Sequence, residues 1–87
     1  MAEITCEVIN QKGMHARAAA RIVAEVVQYS SHAILHHNER SAPGDSLLKL
    51  LTLNAPKGSH IRITSEGPDA TQLLQALQRL FAQGFGE

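Results

Sequence analysis

The feature that most constrains this chain is a change of hydrophobic period near its start. "EITCEVIN", residues 3–10, alternates Ile4, Cys6 and Val8 with Thr5, Glu7 and Ile9, as a strand with one buried face does. "QKG" ends that pattern, and from Ala16 to about Val27 the spacing becomes helical. Ala19, Ile22, Val23 and Val26 make an apolar stripe, while Arg17, Arg21 and Glu25 fall four apart on the other side. A strand with one face to cover, followed at once by a helix with one stripe to bury, favours helices packed on a sheet.

The two periods recur along the chain. "HAILHH" (32–37) and "RSAP" (40–43), joined across Asn38-Glu39, read as a short hairpin. Pro43-Gly44-Asp45-Ser46 is a turn into "SLLKLLTL", one short helix with Ser46 or Asp45 as N-cap. "HIRITSE" alternates again. "GPD" opens a last helix that Asp69 can cap, whose buried face is Leu73, Leu74, Leu77, Leu80 and Phe81. The order β-α-β-β-α-β-α predicts a two-layer α/β sandwich with helices on one sheet face and the other face open to water. Thr5, Glu7, Ile34, His36, Arg62 and Thr64 are expected on the open face.

Length and charge narrow the function classes. The 87 residues fit a single domain, 1–87, with little room for both a deep substrate pocket and a catalytic apparatus. Eight Lys and Arg balance eight Asp and Glu, which argues against a broadly basic nucleic-acid binder or a polybasic membrane anchor. A single cysteine, Cys6, has no disulfide partner within the chain and reads as a small buried thiol. With no signal peptide and no apolar run of membrane-spanning length, a cytoplasmic protein is expected.

"GMHARAAARIVA", residues 13–24, is where chemistry is expected. If Ala16 opens the helix, His15 is its N-cap, beside the unpaired first-turn amides and close to Arg17. A helix N-terminus and an arginine both welcome an anion, so a phosphoryl group on His15 would be held by the Ala16, Arg17 and Ala18 amides and by the Arg17 guanidinium. Arg21, one turn on, can add to that field. Read alone, the same residues also fit an ordinary solvated cap.

"DSLLKLLTL", residues 45–53, supplies a second clue. Its five leucines, at 47, 48, 50, 51 and 53, cannot all enter one core, because neighbours on a helix point about 100° apart. Leu47, Leu48 and Leu51 are expected outside, with Lys49 among them, and Leu50 and Leu53 inside. An exposed leucine patch marks a partner surface. Ser46 is both a natural cap and an accessible hydroxyl. His32 and His36 share a strand face, His37 points the other way and His60 opens another strand. No diagnostic cysteine or acidic spacing accompanies them, so no metal site is assigned.

"KGMHARAAARIV" and "DSLLKLLTLNAPKGSHIRI", with the element order, resemble HPr over essentially the whole chain. HPr is the histidine-containing phosphocarrier of the bacterial phosphoenolpyruvate-dependent phosphotransferase system. The resemblance implies an open-faced sandwich, a four-stranded antiparallel sheet with three helices on one face. It implies that His15 accepts a phosphoryl group from enzyme I and passes it to the A component of a sugar-specific enzyme II, with Arg17 stabilising the phosphate. It also implies that Leu47, Leu48 and Leu51, with Lys49 and Ala20, form the docking surface, and that Ser46 matches a serine modified by a kinase/phosphorylase. A monomer needing no cofactor is expected. Ala18 stands where the family usually has proline, and Asn38-Glu39 where glycine is common. The alternatives are the same chemistry in a nitrogen-related regulatory chain, or a binding module that uses the leucine patch without turning over phosphate.

Overall fold

The computed structural model describes residues 1–86. Its elements follow the expected order: β1 (Ala2–Glu7), α1 (Ala16–Val26), β2 (His32–His37), β3 (Arg40–Pro43), α2 (Leu47–Leu51), β4 (His60–Glu66) and α3 (Ala70–Ala82). A short 3-10 turn over Gly84–Gly86 closes the chain and was not expected from the sequence. In it Phe85 takes φ 58°, which lets its ring reach Phe81 edge-on at a centroid distance of 4.8 Å.

The four strands form one antiparallel sheet in the order β1-β4-β2-β3. The chain leaves a gap beside β1 that β4 fills from the far end of the sequence. Ile63 therefore pairs with Ile4 on one side and Leu35 on the other. One face of the sheet is covered by helices and carries the core: Ile22 of α1, Leu50 of α2, and Leu73, Leu77 and Phe81 of α3 close over Leu35, Ile61 and Ile63. Each such side chain contributes roughly 1.5–3 kcal/mol by leaving water. This is the expected open-faced sandwich.

The opposite face carries the expected residues. Thr5, Glu7, Ile34 and Arg62 are exposed and His36 is half-buried, but Thr64 is buried. His36 lies over it, with Nε2 3.2 Å from the Thr64 hydroxyl. Burial, aided by neighbouring Arg62 and opposed by Glu3, pushes the His36 pKa down.

Two local expectations are corrected. β1 ends at Glu7 and α2 is only five residues long, so Val8 and Leu53 enter the core from irregular chain. Asp69 occupies the N-cap of α3, yet its side chain makes no cap hydrogen bond. Instead Ser31 Oγ donates to Asp69 Oδ1 and the Ser30 amide donates to Oδ2 at 3.0 Å, while the Asp69 amide donates to Ser31 Oγ at 3.0 Å. Gly67 permits this approach: its φ is +138°, and a Cβ there would sit 2.5 Å from Ser31 Oγ. The carboxylate thus staples the α1–β2 loop to the start of α3.

Candidate functional site

The loop before α1 is fixed by backbone bonds from the far end of the fold. Val8 exchanges bonds with the 58–59 turn, its amide donating to Ser59 O at 2.8 Å and its carbonyl accepting from the Gly58 amide at 2.7 Å. The Met14 amide donates to Ala55 O at 2.8 Å, and buried Asn10 holds Gly13 O through Nδ2 at 2.8 Å. Gly13 turns the chain with φ +66°, and any Cβ there would lie 2.5 Å from Ala55 O. Only glycine passes through this gap without displacing the Ala55 backbone.

His15 emerges from this clamp as the N-cap of α1, with extended backbone at φ −105° and ψ 179°. Its carbonyl accepts the first i→i−4 bond, from the Ala19 amide at 2.9 Å. The amides of Ala16, Arg17 and Ala18 therefore precede the helical ladder and point toward the cap. One of them is engaged: the Arg17 amide donates to His15 Nδ1 at 3.3 Å. A ring nitrogen that accepts an amide hydrogen presents its lone pair to the positive end of the helix. An anionic group attached to that nitrogen would lie among the first-turn amides.

The surroundings are open. His15 is half-buried, while Ala16, Arg17, Ala20 and Arg21 are exposed. Ala18 is buried against the core, so only its amide faces the cap region. The Arg21 guanidinium lies beside the closing turn, where a Cβ on Gly86 would be 3.4 Å from its Cζ. Arg17 thus flanks the cap and Arg21 flanks the C-terminal turn.

Four of the five leucines lie where expected, and Leu51, expected outside, packs partly against the core instead. Leu47 is 40% and Leu48 77% exposed, Leu51 is half-buried, and Leu50 and Leu53 are buried. Lys49 is exposed between them, and α1 packs against α2, so the two elements bearing candidate residues are neighbours. Ser46 is the N-cap of α2 and accepts the Lys49 amide at 3.3 Å; Asp45 is exposed before it. His32 and His60 are exposed on strands, and His37 turns to the helical side. No group of three or more His, Cys, Asp or Glu side chains converges among the described residues.

The supports of the site leave little trace in the sequence. Gly13 is recognisable from a glycine at a strand-to-helix junction, but Asn10 and Ala55 act through contacts with no sequence signature. No helix among the described residues is long and apolar enough to cross a membrane.

Known proteins resemble this chain along its length. The family model described as "PTS HPr component phosphorylation site" matches residues 2–83. Phosphocarrier protein NPr of Klebsiella oxytoca is 36% identical over 84 residues, covering 95% of this chain and 93% of the relative. Phosphocarrier protein HPr of Neisseria meningitidis serogroup A is 32% identical over 87 residues, covering 100% of this chain and 98% of the relative. A multiphosphoryl transfer protein of Haemophilus influenzae is 33% identical over 86 residues, but the match spans only 17% of that longer protein. Among solved structures, an HPr from Thermoanaerobacter tengcongensis superposes with a TM-score of 0.94 at 30% identity, covering 100% of this chain and 98% of the other. A strand-helix sandwich with a histidine at the head of its first helix, matched along its length by phosphocarriers of the phosphotransferase system, belongs to the HPr family.

Proposed function

We propose that this phosphocarrier takes a phosphoryl group on His15 from phosphorylated enzyme I and passes it to the A component of a sugar-specific enzyme II. In this reading it works as a cytoplasmic monomer and needs no metal or cofactor of its own. The observation that carries the reading is the orientation of Nδ1, which accepts the Arg17 amide at the head of α1. The Nδ1 lone pair forms a bond to phosphorus as the phosphorus–nitrogen bond of the donor breaks, and the electron pair of that bond returns to the donor ring. The Arg17 amide, released from Nδ1, then serves a phosphoryl oxygen together with the Ala16 and Ala18 amides. Arg17 supplies the counter-charge, and Arg21 adds to it at longer range. Forwarding the group reverses the same steps, so positioning and charge carry the reaction.

Docking is assigned to the apolar rim beside the site: Leu47, Leu48, Leu51 and Ala20, with Lys49 among them. Ser46 heads that rim. A phosphate there, added by a serine kinase, would bring about two negative charges into the patch and weaken enzyme I binding.

The test is incubation with enzyme I and labelled phosphoenolpyruvate, wild type beside His15→Ala. Acid-labile, base-stable label on the wild type alone is the expected result. Absence of label, with enzyme I active on another carrier, would overturn the assignment and favour a binding module. A second reading keeps the chemistry and changes the chain it serves, from sugar uptake to nitrogen-related regulation. What favours it is that NPr is 36% identical to this chain and HPr 32%. Selective charging by a nitrogen-type enzyme I would decide for it.

A further inference from the structure

Helix α2 has five residues, too few to hold their own helical shape in water. Its direction must come from outside, and an account of its last carbonyls shows where. Lys49 O accepts the Thr52 amide at 3.0 Å and the Thr52 hydroxyl at 2.6 Å. Leu50 O and Leu51 O accept the Leu53 and Asn54 amides at 3.1 and 3.4 Å. The next two carbonyls, Thr52 O and Leu53 O, point away from the helix and are taken by the β2–β3 hairpin. Arg40 Nη1 donates to Thr52 O at 2.7 Å, and His37 Nδ1 lies 2.9 Å from Leu53 O. A carbonyl only accepts, so His37 Nδ1 carries the hydrogen.

These two bonds tie the end of α2 to the tip of a hairpin remote in sequence. Asn38, at φ 56°, turns the hairpin between the two donors. Elsewhere α2 is held by buried Leu50, by half-buried Leu51 against the core and by its packing on α1 and β3, contacts that are apolar and non-directional. Directional bonds at the C-terminal end supply what apolar contacts do not. A cationic donor beside a helix C-terminus is also favoured by the helix dipole.

We propose that His37 and Arg40 are positioning residues for the docking surface. They fix the azimuth of α2 and so the presentation of Leu47, Leu48 and Leu51 to the phosphoryl donor, without touching His15. The proposal rests on the docking role given to α2 above.

The experiment pairs amide hydrogen exchange with transfer kinetics for His37→Ala, Arg40→Ala and the double variant in the full chain. Exchange of the Thr52, Leu53 and Asn54 amides should quicken about tenfold, roughly the factor that one net hydrogen bond carries, while the Ile61 and Ile63 amides keep their protection. With enzyme I, the KM for the carrier should rise several-fold at unchanged kcat. His37→Asn, whose amide nitrogen reaches where Nδ1 did, and Arg40→Lys should restore most of the loss. Unchanged exchange of these three amides would overturn the proposal, as would equal acceleration in β4, which signals general loosening. Faster exchange of the three amides with an unchanged KM would also overturn it, because the clamp would then not govern docking. If the wild type accepts no label at all, the docking role fails first and removes the proposal with it.

Discussion

His15 and Asp69 show how much a single residue reveals before the fold is known. His15 was readable as a cap because the change of hydrophobic period fixes where α1 begins, and the cap position follows by counting. Asp69 fits the same rule and holds the same backbone position, yet its carboxylate turns away to Ser31 and Ser30. The difference is tertiary: a loop 38 residues earlier in the chain offers better donors than the first turn of α3. The Ser31 hydroxyl bond, then the Ser30 amide bond, hold the Asp69 carboxyl below the usual carboxylate range. A folded-state pKa lowered in this way stabilises the fold fully above the unfolded value of about 3.9 and loses that contribution as pH falls through the folded value. Asp69→Asn should therefore lower Tm at pH 7. The gap from wild type should begin to narrow below about pH 4, where the unfolded chain's carboxyl takes up its proton, and should close only as pH falls through the lowered folded-state value. A constant gap across the acid range would mean that shape rather than charge holds the staple.

Among the elements, α2 separates what pattern can give from what it cannot. Five leucines in "LLKLLTL" cannot share one core, and helical geometry separates Leu50 inside from Leu47 and Leu48 outside. Leu53 is buried from irregular chain beyond the helix, and Leu51 is half-buried rather than outside. How the helix is held could not be read, because His37 and Arg40 reach Leu53 and Thr52 across a hairpin whose placement depends on the whole sheet. The split predicts opposite phenotypes for two adjacent types of substitution. Leu48→Ala, at a position 77% exposed, should leave stability within about 0.5 kcal/mol of wild type. It should nonetheless weaken acceptance from enzyme I by about tenfold if Leu48 is an anchor of the interface. Leu50→Ala opens a cavity at a fully buried position and should cost about 2–5 kcal/mol. Urea titrations beside transfer kinetics check both. A Leu48→Ala chain that transfers normally would remove α2 from the docking surface.

For the molecule as a whole, the period-two patterns revealed which face of each strand is buried but not which strands are neighbours. Alternation is a property of one strand, whereas the order β1-β4-β2-β3 depends on tertiary packing, with α3 lying against β1, β4 and β2 and α2 against β3. That order leaves β1 at an edge, paired on one side only, with Cys6 opposite Ile61. An edge strand is the natural place for local fraying, and Cys6 is a built-in reporter of it. The thiol is 6% exposed and burial pushes its pKa up, so both access and thiolate character are suppressed in the native state. β1 is nevertheless covered by α3, and Phe81 of that helix belongs to the same core as Cys6. Baring Cys6 should therefore require α3 to detach, which dismantles the core rather than one edge. The expected outcome is slow modification of Cys6 by an aromatic disulfide reagent in buffer, accelerating with urea along the slope of global unfolding. Modification that is fast and indifferent to low urea would instead place the first opening of the fold at β1. In that case the 58–59 turn, which holds Val8 and through it the approach to His15, would open with the strand. The loop that presents His15 is tied through Val8 to an edge strand, and the rate at Cys6 measures whether that strand stays closed.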